Sequence, residues 1–218
     1  MKSPKLNKLE RAVKGRSNQF TAFFNWSLDF LYEHKKSIKL VNARHVSMEC
    51  SQKCSGYCDG SEIAAALKNP LFEQVYVHEF SHMMQAVEES PLWNGDYNFW
   101  DLLNLKKLTV PDYSKVMEVI ALERDCEQRS IALSKKWKLF DNEKYAKQAN
   151  LYLYYYQYLF LTNKWVDCTS IYHPILLDYM PSKIQQLGSF YKIDMDLMNL
   201  FHECLNKKGK FYKKGFGS

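Results

Sequence analysis

One stretch, Asn69 to Gln85, reading N-P-L-F-E-Q-V-Y-V-H-E-F-S-H-M-M-Q, constrains this chain more than any other. At its centre stands His78-Glu79-Phe80-Ser81-His82, an H-E-x-x-H pattern. A helix places residues four apart on one face, so the two imidazoles stand one above the other with a carboxylate beside them. Asn69 suits an N-cap, Pro70 suits the first helical position, and no Gly or Pro interrupts the run to Glu89. Leu71, Phe72, Val75, Tyr76, Val77, Phe80, Met83, Met84 and Val87 surround the histidines on nearly every side, the pattern of a helix buried within a protein. Neutral imidazoles in such a place suit Zn²⁺ at about 2.0–2.1 Å, with Glu79 turned toward a metal-bound water. Two imidazoles still need a third ligand.

A second helix is expected from Tyr113 to Trp137. At about 100° per residue, Val116, Val119, Ile120, Leu122, Cys126, Ile131, Leu133 and Trp137 form one broad apolar stripe. Glu118, Arg124, Asp125, Gln128, Arg129, Lys135 and Lys136 cover the opposite side. Glu123 and Glu127 break the pattern by falling in the middle of the stripe, one turn apart, where a bare carboxylate is expensive to bury. Each needs a cation: a metal on the histidine helix, or an arginine or lysine within the core. Asp125, on the wet face, is excluded as a ligand by the same geometry.

With both helices in view, the chain resembles the gluzincin type of zinc metallopeptidase, in which H-E-x-x-H supplies two ligands and a glutamate on a later helix supplies the third. The resemblance covers about residues 58 to 137 and rests on His78-Glu79-x-x-His82 and Glu123-x-x-x-Glu127. It implies a zincin-like fold and a zinc-dependent hydrolysis of peptide bonds by a metal-activated water. It further implies that His78, His82 and Glu123 hold the Zn²⁺ and that Glu79 is the general base. Glu127 takes the place of the acidic residue that orients a ligand histidine; the family usually has Asp there, so Glu is a departure. A metzincin pattern would require Gly and His where this chain has Gln85 and Glu88. Gluzincins stabilise the oxyanion with a His or Tyr from the C-terminal part, which directs attention to Tyr172 and His173.

The remaining elements follow in order. Asn18 to Lys36 carries Phe20, Phe23, Phe24, Leu28 and Leu31 at helical spacing, and Ser37 to Met48 is a short β-leaning run containing His45, a surface or strand histidine. Cys50, Cys54 and Cys58, at even four-residue steps, read as a loop of free thiols, with a second metal as the alternative. Ser61 to Leu67, short and apolar, suits a strand or a helical turn, and an edge strand leading to the histidine helix is favoured. Leu92 to Tyr97 reads as a loop, Phe99 to Leu108 as a short helix, and Asn142 to Trp165 as a long helix whose aromatics on every face signal packing on several sides. Val166 to Pro174 is expected extended, Met180-Pro181-Ser182 opens a further helix, and Asp194 to Leu205 forms the last one.

Hydrophobic residues at 46% and charged residues at 25% place the chain among globular proteins, not disordered ones. The expected fold class is α+β: a small mixed sheet lobe to about residue 100, a central metal-binding helix, and a mainly helical C-terminal lobe, all in one domain over 17–204. Basic tails, 1–16 and 205–218, each carry a charge of +5 in a chain of net +6, so the body between them is mildly acidic. Such tails are usually solvated, but they allow an alternative function: a non-catalytic zincin-fold protein that engages nucleic acid or a protein partner through its ends. No run reaches the roughly eighteen apolar residues of a membrane span and the first residues lack an apolar signal core, so a cytoplasmic protein acting on a protein or peptide is expected. Six cysteines are too few for a disulfide scaffold.

Overall fold

The structure is a computed structural model, and it describes residues 9, 11–47, 53–93, 113–162 and 171–206. It is mostly helical with a small mixed sheet, an α+β protein. The elements are α1 (Asn18–Glu33), β1 (Ser37–Val41), β2 (Val46–Ser47), β3 (Lys53–Cys54), β4 (Gly56–Cys58), β5 (Glu62–Ala66), α2 (Phe72–Val87), α3 (Tyr113–Trp137), α4 (Asn142–Thr162), α5 (Pro174–Tyr179), a 3₁₀ turn (Leu187–Phe190) and α6 (Met195–Asn206). No helix among the described residues is long and apolar enough to cross a membrane.

Two compact units divide the chain: Met1–Asn94 with Cys126–Asn142, and Gly95–Asp125 with Glu143–Ser218. Helix α3 belongs to the second unit up to Asp125 and to the first from Cys126. The chain therefore does not divide into an N-terminal and a C-terminal lobe in sequence order.

In the first unit the three-stranded sheet has the order β1-β5-β4, with β1 parallel and β4 antiparallel to β5. β5 is thus the central strand, not the edge strand expected from its sequence. Its residues alternate between two apolar environments: Ile63 and Ala65 join the cluster built by α1 and α2, while Ala64 and Ala66 pack with Val46. Alanines suit a central strand here because they let α2 lie close to the sheet. On the other side of α2, the rings of Phe20, Phe23 and Phe24 meet Tyr76 at centroid distances of 6.0, 6.1 and 5.0 Å. The Tyr76 hydroxyl is paired with the Ser27 hydroxyl at 2.6 Å, which satisfies both polar groups in the core.

The second unit is built on the aromatic helix α4, which is buried on several sides as its sequence implied. Gln157 donates to the Tyr113 hydroxyl (2.7 Å) and to the Phe190 carbonyl (3.0 Å).

Several sequence expectations are corrected. Helix α2 begins two residues after Pro70, because the Asn69 side chain accepts from Leu71 N–H (2.8 Å) and closes a turn before the helix instead of capping it. No helix opens at Met180-Pro181-Ser182. The buried Asn150 amide donates to the carbonyls of Pro181 (2.9 Å) and Lys183 (2.8 Å) and accepts from Gln185 N–H (2.9 Å), so this segment is held by a side chain in place of helical bonds. The last residues of the basic N-terminal stretch are packed: Val13 is buried, and Arg16 lies over the Phe72 ring at 4.8 Å, donates to the Leu67 carbonyl (3.2 Å) and faces Glu73. His45 lies outside the strands, just ahead of β2. The expectations for residues 1–8 of the basic tail, Cys50, the loop after Trp93, the helix at Phe99–Leu108, the segment 163–170 and the tail at 207–218 lie outside the described residues.

Gly56 is where β4 meets α2. A Cβ built there would lie 2.7 Å from Val75 Cγ1, 2.9 Å from the Ala64 carbonyl oxygen and 3.0 Å from Glu79 Cγ. The Ala64 oxygen is backbone and cannot give way cheaply. Gly56→Ala is expected to lower stability by about 1–3 kcal/mol through overpacking, read as a lower urea midpoint at unchanged m-value.

Candidate metal centre

Helix α2 carries His78, Glu79 and His82, and the part of α3 from Cys126 onward packs against it. The contact is close because serines meet there: Ser81 and Ser130 are fully buried with hydroxyls 2.9 Å apart. Each also donates toward a carbonyl one turn back on its own helix, Val77 and Cys126 respectively, both at 2.9 Å. Arg129 donates to Glu88 (2.7 Å) at the exposed rim of the same contact.

The rings of His78 and His82 lie 4.7 Å apart and nearly perpendicular. Glu79 and His82 are buried, whereas His78 keeps some exposure, against the expectation that both imidazoles would be enclosed. Glu127, also buried, places Oε1 3.2 Å from His78 Nδ1. Oε2 of Glu127 is buried with no hydrogen-bond partner among the described residues. Gln85, fully buried three residues beyond His82, places Oε1 2.8 Å from His82 Nδ1. Both imidazoles are thus met at Nδ1 by a side-chain oxygen, the arrangement that makes Nε2 the nitrogen for a metal.

Cys126 is the neighbour that sequence reasoning passed over, since it counted only as one more residue of the apolar stripe. Its Sγ donates to the His78 carbonyl (3.2 Å) and lies 3.6 Å from His78 Nδ1. Ligand atoms of His78, His82 and Cys126 fall within 4.8 Å of one another, a possible metal-binding group. The signal was its place beside Glu127 on the stripe that carries the two glutamates. Gln85 had a comparable signal, three residues beyond His82 on the same helix.

Burial works against an imidazolium at His78, but the Cys126 sulfur and the Glu127 carboxylate outweigh it and hold the His78 pKa well above its ordinary value. Cys58, on β4, is pushed upward, first by burial and then by Glu79, Asp59 and Cys126, against the lowering effect of the Gly60 backbone N–H; it stays a neutral thiol. Cys54, Cys58 and Cys126 are free cysteines.

Glu123 falls in the second unit, buried as its place on the stripe required, and its Oε1 accepts from the Tyr156 hydroxyl at 3.0 Å. Tyr172 and His173 also lie there, just ahead of α5; His173 has extended backbone, and its Nδ1 is buried with no hydrogen-bond partner among the described residues.

No family model, no curated protein and no solved structure matches this chain.

A pH dependence follows from the raised pKa of His78. Its ion pair with Glu127 contributes stability fully below the unfolded value of about 6.5, and that contribution is lost as pH rises through the higher folded value. A ring nitrogen must shed its proton to bind a metal, so any metal uptake at this ring near neutral pH should release protons and tighten as pH rises. Titration calorimetry in two buffers of different ionisation enthalpy should show this release, and Glu127→Ala should diminish it.

Proposed function

We propose that this chain is a zinc-dependent metallopeptidase of gluzincin type, hydrolysing peptide bonds in a protein or peptide substrate. The observation that carries the reading is the contact between Glu127 Oε1 and His78 Nδ1, at 3.2 Å. The resemblance assigns the acidic residue at this position to orienting a ligand histidine, and the longer Glu reaches the ring as Asp would. The two imidazoles also suit a zinc site: they share one helix face, and each is met at Nδ1 by an oxygen.

In this reading His78 and His82 hold the metal through their Nε2 atoms. Glu123, on α3 four residues before Glu127, is the third ligand that the resemblance implies. Zinc, when bound, lowers the pKa of a water and polarises a carbonyl. Glu79 accepts the proton that the attacking water gives up and passes it to the leaving amine. Its side chain is buried against the glycine of β4, which restricts where the carboxylate can point and limits its hydration. Glu127 holds the His78 ring in place and supports the proton on Nδ1. Tyr172 and His173 stay the candidates for oxyanion stabilisation.

A second reading is favoured by the position of Cys126. A metal held by His78, His82 and Cys126 would have two imidazole ligands and one thiolate, with a structural or binding role. The two readings separate on variants. In the peptidase, Glu79→Gln keeps about one zinc per chain while turnover on an unfolded protein substrate falls by roughly 10²–10⁴-fold, the usual contribution of a general base. Glu123→Ala loses the zinc there, and Cys126→Ala keeps it. Zinc that survives Glu123→Ala but not Cys126→Ala assigns the thiolate site instead. Metal content by atomic emission and a proteolysis time course are the measurements.

A further inference from the structure

We infer that Gln85 is the positioning residue for His82, fixing the imidazole with its proton on Nδ1 so that Nε2 carries the lone pair. The inference rests on the metal reading above. Residues three apart share a helix face, and here the amide oxygen lies 2.8 Å from Nδ1, within a region where Gln85 is fully buried and His82 is 7% exposed. An amide oxygen only accepts, so the nitrogen it meets must donate. The opposite tautomer, with the proton on Nε2, is the usual one for a free neutral imidazole, and it cannot ligate through Nε2.

Two further contacts hold the arrangement in register. The backbone carbonyl of Gln85 accepts from Ser90 N–H at 3.0 Å as α2 ends, which fixes the residue at the last turn. The Trp93 ring lies 5.8 Å from the His82 ring, centroid to centroid, and limits how far the imidazole can turn.

The two histidines are therefore oriented by different chemistry. His78 meets a carboxylate from another helix, and His82 meets a neutral amide from its own. A neutral acceptor sets the tautomer without adding a third carboxylate to a region that already buries Glu79 and Glu127.

The test uses the full chain, ¹⁵N-labelled and stripped of metal, with long-range ¹H–¹⁵N correlation of the imidazole rings; His82 is assigned by its loss in His82→Ala. Wild type should show the Nδ1–H tautomer, and Gln85→Glu, which keeps an acceptor, should keep the proton on Nδ1. Gln85→Met, of similar size without an acceptor, should shift to Nε2–H. Zinc affinity, by competition with a chromophoric chelator above the pKa of His82, should fall roughly 10–100-fold in Gln85→Met and less in Gln85→Glu. An Nε2–H tautomer at His82 in the wild type overturns the inference without any variant needing to fold. So does a folded Gln85→Met that keeps both tautomer and affinity. A wild type with the Nδ1–H tautomer that takes up no zinc defeats the metal reading and leaves the assignment of Gln85 to His82 standing.

Discussion

Glu127 is a carboxylate enclosed in the core of the first unit, and the site is arranged around the need to compensate it. A buried carboxylate without a partner is among the costlier groups a fold can contain, so the residue that faces it is heavily constrained. His78 is that residue, and the constraint runs both ways: the carboxylate raises the imidazole pKa and the imidazole gives the carboxylate a donor. Any substitution on α2 that turned His78 away would leave a charge behind.

That pair holds only because α2 has little room to move. Rings from α1 cover one side, the alanines of β5 and Gly56 of β4 another, and the serine pair with α3 a third. Each contact uses side chains chosen for size: aromatics where a gap is wide, Ala, Gly and Ser where backbones approach. Glu79 and His82 inherit their positions from this packing, which pre-organises them without a dedicated loop.

The sequence made some of this legible. Helix α3 has the bounds its periodicity implies, because twenty-five residues of amphipathic pattern leave little ambiguity. Glu123 and Glu127 stood out as charges on an apolar stripe, and both are buried. What stayed hidden depends on partners distant in sequence. Asn150 replaces a helix near Pro181 from 31 residues away. β5 reads as an edge strand until β4, too short to carry a pattern, is seen beside it. Cys126 is indistinguishable in a helical wheel from an apolar residue, and Gln85 from an ordinary polar one, since neither wheel nor spacing reports which side chain meets which ring nitrogen.

The charge balance of the first unit ties these observations to a cation. Glu79 and Glu127 are both buried near α2, and Cys58 on β4 is held as a neutral thiol. A buried carboxylate favours a positive group beside it, because low-dielectric surroundings strengthen the attraction. The Cys126 sulfur and the Glu127 carboxylate both favour a proton on His78, which is why its pKa is raised. A divalent cation at the Nε2 of His78 would take the place of one ring proton while the other stayed on Nδ1, facing Glu127. On the metal reading, a proton and a cation would compete for the same ring nitrogen of His78, and the neighbours that raise its basicity would favour either.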